Sequence, residues 1–206
     1  MPKIVIRKPE DDLLKRFAQQ RGSSDFNYLE VGASNANPPK GFTVDRTKIL
    51  LGIGEEVFAA GRKALEDFQH LKLGWVDCWT SGKIQEGETI VIAGRAFGFW
   101  WLNPCRIVYL IDNQREGNVF GFAHGTLPGH IERGEERFQV CRDPVTDQVH
   151  FEILAFSHPN HFLSHLGYPM VRYLQKKFGR ESARAMFRAV NPEPASEIPG
   201  VLQATG

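Results

Sequence analysis

The spacing of hydrophobic and polar residues predicts a strand and two helices in the first part of the chain. Residues 3–6 (KIVI) suit a short strand, and apolar residues at helical spacing between Pro9 and Gly22 predict a helix. The composition of 32–41 (GASNANPPKG) is that of a loop, and the following FTVDRTKILLGIG alternates as a strand does. Residues 55–70 begin with two glutamates and carry one apolar stripe, which predicts a second helix.

From Trp75 to Ser157 the spacing becomes that of β-strands. Six segments alternate apolar and polar positions, at 75–81, 89–97, 104–112, 118–127, 130–142 and 147–157. Their connections are short and rich in turn-forming residues, so successive strands must be antiparallel neighbours. The apolar face of such a meander needs a cover. The helical pattern around Met170–Phe187, with bends or breaks expected at Pro169 and Gly179, is the only element long enough to provide it.

Together these elements predict an α+β protein in which a curved antiparallel sheet meander wraps around the C-terminal helix. This order of elements resembles the helix-grip arrangement of START-like proteins, in which the space between sheet and helix is often a ligand cavity. We expect a strand-and-helix appendage at 1–27, a single α+β domain at 28–190 and a loose tail at 191–206.

Composition narrows the classes of partner. Of the 206 residues, 42% are hydrophobic and 24% are charged, and 25 Lys and Arg against 24 Asp and Glu leave a net charge of +1. These values are typical of a globular domain and lack the basic field that attracts nucleic acids or anionic lipids. No apolar run approaches the length of a membrane span, and MPKIVIRKPEDD does not have the form of a signal peptide. We expect a cytoplasmic protein without a nucleic-acid partner.

Cysteines and histidines do not form a metal-binding pattern. Cys78, Cys105 and Cys141 are odd in number and widely spaced, which predicts free thiols. In SHPNHFLSH, His161 and His165 are four residues apart and could share a helix face, but they lack the acidic residue of an HExxH motif. LGIG before the second helix lacks the lysine and the third glycine of the nucleotide-binding fingerprints. We therefore expect no metal and no cofactor.

The densest group of polar residues lies at 118–140, on two neighbouring predicted strands. One face of each strand carries the candidate ligand-binding side chains, which are Phe120, Phe122, His124, Thr126, His130, Glu132, Glu136 and Phe138. The sequence does not decide which face of the second strand points inward, because a bulge at Gly134 would reverse the alternation. A histidine and a carboxylate on adjacent strands can act as acid and base, so His124 and Glu136 are the candidate catalytic residues.

Three functions fit these residues. The first is binding of a small hydrophobic or amphipathic molecule between sheet and C-terminal helix, with Arg46 as a further ligand contact. The second is a lyase, cyclase or hydrolase acting on such a molecule, with His124 or Glu136 as general base and Arg46 or His130 stabilising negative charge. The third is an interaction module that uses Trp100 and Trp101.

A structural role for the same polar residues is an equally simple interpretation. His124 would then be a hydrogen-bonded residue of the sheet, and the charged residues at 132–137 would form solvated ion pairs between strands.

A resemblance to a known family extends from about Tyr28 to Gln175. It is carried by Tyr28, VGA at 31–33, GF at 41–42, Arg46, LGIG at 51–54, Phe58, AL at 64–65, GW at 74–75, GFAHGTL at 121–127, His130, Glu132, GEE at 134–136, Phe138, Ser157, Pro159, Arg172 and Gln175. These residues resemble uncharacterised protein family 0548, found in bacteria and plants. His124 stands where that family more often has Tyr, which argues against an acid/base role because a phenol and an imidazole titrate far apart. The resemblance implies a fold and a signature but no established activity.

Overall fold

One antiparallel sheet organises the chain. The computed structural model describes residues 2–82, 84–112, 118–160, 168–192 and 198–206. Within these ranges the sheet has nine strands: β1 (Lys3–Val5), β2 (Thr43–Ile53), β3 (Val76–Trp79), β4 (Thr89–Ala96), β5 (Phe99–Asp112), β6 (Val119–Thr126), β7 (Glu132–Arg142), β8 (Gln148–Pro159) and β9 (Leu202–Thr205). The same ranges contain three α-helices, α1 (Asp11–Arg21), α2 (Glu55–Glu66) and α3 (Tyr168–Val190), and 3-10 turns at Ala33–Asn35 and Gln69–Leu71.

The strand order follows from the short connections. Strands β3 to β8 are neighbours in chain order, and the sheet continues from β8 to β2 and β9, while β1 pairs with β5. All of these pairings are antiparallel. The register shifts between Leu50 and Gly52 in β2 and between Ile107 and Tyr109 in β5, and such bulges bend and twist a sheet. The predicted curved antiparallel meander is confirmed.

Helices α2 and α3 cover the same face of the sheet, which we call the inner face. Ala183, Met186 and Phe187 of α3 are buried in a core that also contains side chains from α2 and from strands β2 and β4 to β8. At Gly61 of α2 a Cβ atom would lie 3.0 Å from Val140 of β7, so a glycine permits the close approach of helix and strand. This is the helix-grip arrangement expected from the order of elements, with α2 as a second covering helix.

Helix α3 runs without interruption from Tyr168 to Val190, so a break at Pro169 or Gly179 does not occur. Pro169 stands in the first turn, where a missing backbone N–H leaves no helical hydrogen bond unmade. Gly179 is buried where α3 meets β2, and a Cβ there would lie 2.6 Å from the Thr47 hydroxyl. This glycine therefore permits close packing and does not interrupt the helix.

The outer face of the sheet carries a second, smaller core. Helix α1 packs there against β4 and β5, and the buried residues are Leu14, Phe17, Ala18, Val91, Ala93, Trp100 and Leu102. Trp100 is only 5% exposed, so it is a core residue and offers no surface to a partner. Trp101 has the opposite orientation and lies on the inner face. Trp100 is therefore not available for the partner contact that the sequence suggested for Trp100 and Trp101.

The C-terminal residues are more ordered than the predicted loose tail. Strand β9 pairs with Asp45–Lys48 of β2, and backbone bonds join Gly206 to Val44 at 2.9 and 3.2 Å. Gln203 donates to the carbonyl oxygen of Lys176 in α3 at 3.0 Å. The prediction of a loose tail is wrong for these residues. Strand β9 pairs with β2, a strand distant in sequence, and the local pattern of residues does not show such a pairing.

Cys78, Cys105 and Cys141 are free, as their number and spacing predict. Burial raises the pKa of the Cys141 thiol to about 12, and it also raises the pKa values of the other two thiols. All three are therefore protonated, weak nucleophiles at neutral pH. Among the described helices, none is long and apolar enough to cross a membrane.

Candidate functional site

A cavity of about 580 Å³ lies between the inner face of the sheet and α3. Most of its wall is apolar, with contributions from Val76, Ile92, Trp101, Ile153, Val171, Leu174 and Phe178. Gly94 of β4 also lines the cavity, and a Cβ at this position would have no atom within 4 Å. The volume and the apolar wall are those of small-molecule sites in proteins.

Polar side chains enter the cavity from β6, from β7 and from the turn between them: His124, Thr126, His130, Glu132 and Glu136. The register of β6 and β7 pairs His124 with Glu136 and continues without a shift along both strands. At Gly134 the pairing of β7 with β8 is also continuous. Glu132 and Glu136 therefore share the inner face, and the alternation predicted for β7 is correct.

Gly134 is required for close packing of β7 on β8. Its φ is +146°, and a Cβ there would lie 2.0 Å from the carbonyl oxygen of Phe156. Its N–H donates to the Thr126 hydroxyl at 3.0 Å, and the same hydroxyl donates to the Asn27 side chain. Thr126 thus lines the cavity while its hydroxyl ties β7 to the segment before β2.

Three predicted ligand contacts do not reach the cavity. Phe120, Phe122 and Phe138 are buried in the main core, beside Phe58 and Leu65 of α2. Alternation places them correctly on the inner face, but α2 covers the part of that face where they lie. We therefore assign them to core packing.

Arg46 borders the cavity without pointing into it. Its neighbours Asp45 and Thr47 face α3, since Asp45 bonds to Arg172 and Thr47 lies against Gly179. Because successive side chains of a strand alternate between faces, Arg46 lies on the outer face, where it is exposed. The expected role of Arg46 as an interior anion contact is not supported.

A chain of hydrogen bonds fixes Glu132 in the wall of the cavity. Its Oε1 accepts from Gln175 Nε2 at 2.5 Å, and Gln175 Oε1 accepts from Arg172 at 2.5 Å. Arg172 also donates to Asp45 at 2.6 Å. Burial raises the pKa of Glu132 to about 7, against the opposing effects of Gln175, Arg172 and Ser157. The chain of bonds connects β7, α3 and β2.

Asp45 was missed by the sequence reasoning. The signal available for it was a single charged residue at an inward position of an alternating strand. Arg172 and Gln175 were noticed only as residues that carry the family resemblance. Their common partner could be found only when α3 was placed over β2 and β7.

Glu136 and His124 lie next to each other in the cavity wall without a hydrogen bond between them. His124 Nε2 lies 3.7 Å from Glu136 Oε2, which is beyond hydrogen-bond distance, and Glu136 has no hydrogen bond to the described part of the chain. Burial raises the pKa of Glu136 to about 8, with Glu132 and Asp45 adding to the effect. Burial and the neighbouring His130 lower the pKa of His124 to about 3. At neutral pH the carboxyl is mostly protonated and the imidazole is neutral, so Glu136 can donate a proton.

Two buried atoms in the cavity wall lack a partner within the described residues. They are Nδ1 of His124, a residue 4% exposed, and Oδ1 of Asn103, a residue 9% exposed. His130 differs from both, because its Nδ1 accepts the Glu132 N–H at 2.9 Å; burial lowers its pKa to about 4. Thr126 and His130 are satisfied within the protein, whereas His124 and Glu136 have bonding capacity left for a ligand.

The histidine-rich segment contributes little to this picture. His161 and His165 lie outside the described residues, and His158 Nδ1 is 2.9 Å from the Pro159 carbonyl oxygen. Among the residues that the structure describes, no three His, Cys, Asp or Glu side chains are grouped as metal ligands.

The fold and the cavity define an α+β helix-grip protein with a mostly apolar cavity between sheet and helix. The chain belongs to the UPF0548 family. The family model described as "Domain of unknown function (DUF1990)" matches residues 27–185. A UPF0548 protein of Dictyostelium discoideum is 39% identical over 91% of this chain and 95% of its own length. The UPF0548 protein At2g17695 of Arabidopsis thaliana is 33% identical over 83% of this chain and 84% of its own length. The resemblance found in the sequence is confirmed.

Solved structures resemble the fold at low sequence identity. The hypothetical protein jhp0584 of Helicobacter pylori is 8% identical and superposes with a TM-score of 0.52, covering 79% of this chain and 94% of that one. At this identity the likeness concerns the fold alone.

Proposed function

We propose that the protein binds a small hydrophobic or amphipathic molecule in the cavity between the sheet and α3. The observation that supports this most is the composition of the cavity wall, which is mostly apolar but includes a few polar side chains such as His124, Glu132 and Glu136. Burial of apolar ligand surface provides affinity, and a few polar groups provide orientation. The balanced charge and the free cysteines favour a cytoplasmic location and disfavour a nucleic-acid partner.

Filling the cavity tests this proposal. Gly94→Phe places a ring in the space that Gly94 leaves open, whereas Gly200→Phe adds the same ring at an exposed position outside the cavity. We expect the fluorescent neutral dye prodan to bind the parent and Gly200→Phe equally, and Gly94→Phe at least about tenfold more weakly. Equal binding by all three folded proteins would contradict the proposal.

Native mass spectrometry of the freshly purified protein provides a second test. A co-purified small molecule that is retained by the parent and lost from Gly94→Phe is the expected result. A molecule retained equally by both proteins would have to bind elsewhere.

An enzyme acting on the bound molecule is the second candidate function. The observation in its favour is Glu136, which lines the cavity without a hydrogen bond to any residue that the structure describes and has a pKa raised to about 8. A carboxyl group that titrates near the working pH is suited to general acid or base catalysis in a lyase, cyclase or hydrolase. Incubation of the co-purified molecule with the parent and with Glu136→Gln tests this candidate. A mass change with the parent alone is expected of an enzyme, and no change with either protein leaves binding as the function.

A further inference from the structure

The arrangement of charge around the cavity specifies the chemistry of its ligand. We infer that the cavity binds an amphipathic amine, with the protonated amino group against Glu136 and the apolar part along the wall beside α3. This inference rests on the proposed binding function and adds the class of ligand to it.

The ionisable groups that face the interior are acids and neutral histidines. Glu132 and Glu136 enter from β7, His124 and His130 lie next to them, and Asp45 enters from β2. Gln175 and Ser157 donate to Glu132, and Arg172 pairs with Asp45. Glu136 is left without a donor in the described part of the chain.

The cationic residues that border the cavity are exposed to solvent. Arg46, Arg95 and Lys176 border the cavity and are exposed. Arg46 and Arg95 alternate with inward-facing residues of β2 and β4, so their side chains lie on the outer face. Solvent and salt weaken the influence of such exposed charges. A carboxylate or phosphate group would therefore find no free cation in the interior, among the described residues, to offset the cost of burying its charge.

Two atoms in the wall, unpartnered within the part of the chain that the structure describes, could also accept a hydrogen bond: Oδ1 of Asn103, and Nδ1 of His124 in the tautomer that carries the proton on Nε2. His124 is 4% exposed and reaches Glu136 only at 3.7 Å, and its Nδ1 has no partner among the described residues. An ammonium group carries three N–H donors and no acceptor, and its hydrogen bonds to a carboxylate are among the stronger ones in proteins. The attraction between a buried carboxylate and a buried ammonium group offsets the free-energy cost of removing both charges from water.

Amine binding has a consequence for protons. Burial, together with Glu132 and Asp45, raises the pKa of Glu136 to about 8, so this carboxyl is mostly protonated at pH 7 in the free protein. An ammonium group beside it favours the carboxylate. Binding at pH 7 should therefore release up to one proton per ligand, and the affinity should increase between pH 6 and pH 8.5.

Three ligands with the same alkyl chain separate head-group chemistry from apolar burial: n-decylamine, 1-decanol and n-decanoate. Isothermal titration calorimetry at pH 8.5 should give an affinity for n-decylamine at least about tenfold higher than for 1-decanol, and weaker binding still for n-decanoate. Titrations at pH 7 in buffers of different ionisation enthalpy should show proton release with n-decylamine alone.

Two isosteric variants locate the effect. Glu136→Gln should remove both the preference for n-decylamine over 1-decanol and the proton release. Glu152→Gln is the control, because Glu152 pairs with Lys48 on the outer face of the sheet and should leave every affinity unchanged.

The outcomes distinguish the two proposals. If 1-decanol or n-decanoate binds the parent as tightly as n-decylamine, or if Glu136→Gln retains the preference, the amine inference is overturned and the binding function stands. If the parent binds prodan but none of the three, the amine inference alone is overturned; if it binds neither prodan nor any of the three, both are overturned.

Discussion

Gln175 of α3 donates a hydrogen bond of 2.5 Å to Glu132 of β7, across 43 positions of sequence. The contact holds the C-terminal helix over the cavity and gives a buried carboxyl group its closest donor. It also explains why two residues that carry the family resemblance belong to the same site. Since α3 forms one wall of the cavity, the bond couples the shape of the cavity to the ionisation of Glu132.

Removing this bond should loosen the first half of α3. Gln175→Leu leaves Glu132 with only the longer contact from Ser157, so we expect the free energy of unfolding to fall by about 1–3 kcal/mol. Amide hydrogen exchange should become faster near Arg172. Gln139→Leu, which removes a side-chain bond to Glu152 on the outer face, serves as the control and should leave α3 protected. Unchanged exchange in Gln175→Leu would show that the bond does not hold the helix.

Stability should have a broad maximum between about pH 4.5 and 6.5. Above this range, Glu132 and Glu136 keep their protons in the folded protein, because their pKa values are raised to about 7 and about 8. In the unfolded chain, with pKa values near 4.5, both protons have been released. Stability therefore falls as pH rises to about 8. Below pH 6.5, His124 and His130 stay neutral when folded, with pKa values lowered to about 3 and about 4, while the unfolded chain binds protons. Between about pH 4.5 and 6.5 the two effects oppose each other.

Glu136→Gln isolates the alkaline part of this profile. The parent should lose about 2 kcal/mol between pH 6.5 and 8.5, and Glu136→Gln clearly less, because a neutral amide replaces the group that loses its proton. Urea unfolding at the two pH values measures this, with Glu152→Gln as the variant that should behave like the parent. Equal alkaline losses in all three proteins would show that the pKa of Glu136 is not raised.

His124 and His70 provide a matched pair of buried histidines whose Nδ1 atoms have no partner in the described part of the chain. His124 lines the cavity, whereas His70 lies in the core with its ring 4.4 Å from that of Phe138. We expect His124→Ala to weaken n-decylamine binding by about 1–3 kcal/mol with little change in the denaturant midpoint. His70→Ala should lower stability by about 2 kcal/mol and leave binding unchanged. A lowered midpoint with unchanged affinity for His124→Ala would reduce His124 to a structural residue.

Glu135 should be among the residues most important for stability. It is 3% exposed and accepts hydrogen bonds from the Tyr28 hydroxyl at 2.7 Å, from the Gly32 N–H at 2.7 Å and from the Ser34 N–H at 3.0 Å. Glu135→Ala leaves several buried donors unpaired and should cost about 3 kcal/mol or more, whereas Tyr28→Phe removes one donor and should cost about 1 kcal/mol. Denaturant titration measures both, and the reverse order would contradict the assignment.

Gly134 and Gly94 should respond oppositely to the same substitution. Gly134→Ala forces a Cβ to within 2.0 Å of the Phe156 carbonyl oxygen at a positive φ, so we expect a loss of about 3 kcal/mol or an insoluble protein. At Gly94 the space is open, and Gly94→Ala should keep the thermal midpoint within a few degrees of that of the parent. A well-folded Gly134→Ala protein would show that β7 and β8 can separate at this point.

The antiparallel order of β3 to β8 was predictable because it depends on local information. Short connections allow only neighbouring antiparallel strands, and alternation assigns Glu132 and Glu136 to one face. The helix around Met170–Phe187 was equally evident from its apolar spacing. Alternation also places His124 and Thr126 on one face, as the structure shows. The odd number and wide spacing of the three cysteines predict their free state.

The tertiary structure decided how the inner face is divided and which acids are partnered. Phe122 and Phe138 alternate with the same period as His124 and Glu136, so sequence alone could not show that α2 covers the first pair and leaves the second at the cavity. The pairing of β9 with β2 and the hydrogen bonds from α3 to Glu132 and Asp45 join segments far apart in the chain. Such contacts depend on how helices settle on a curved sheet, a property of long-range packing that local periodicity does not contain.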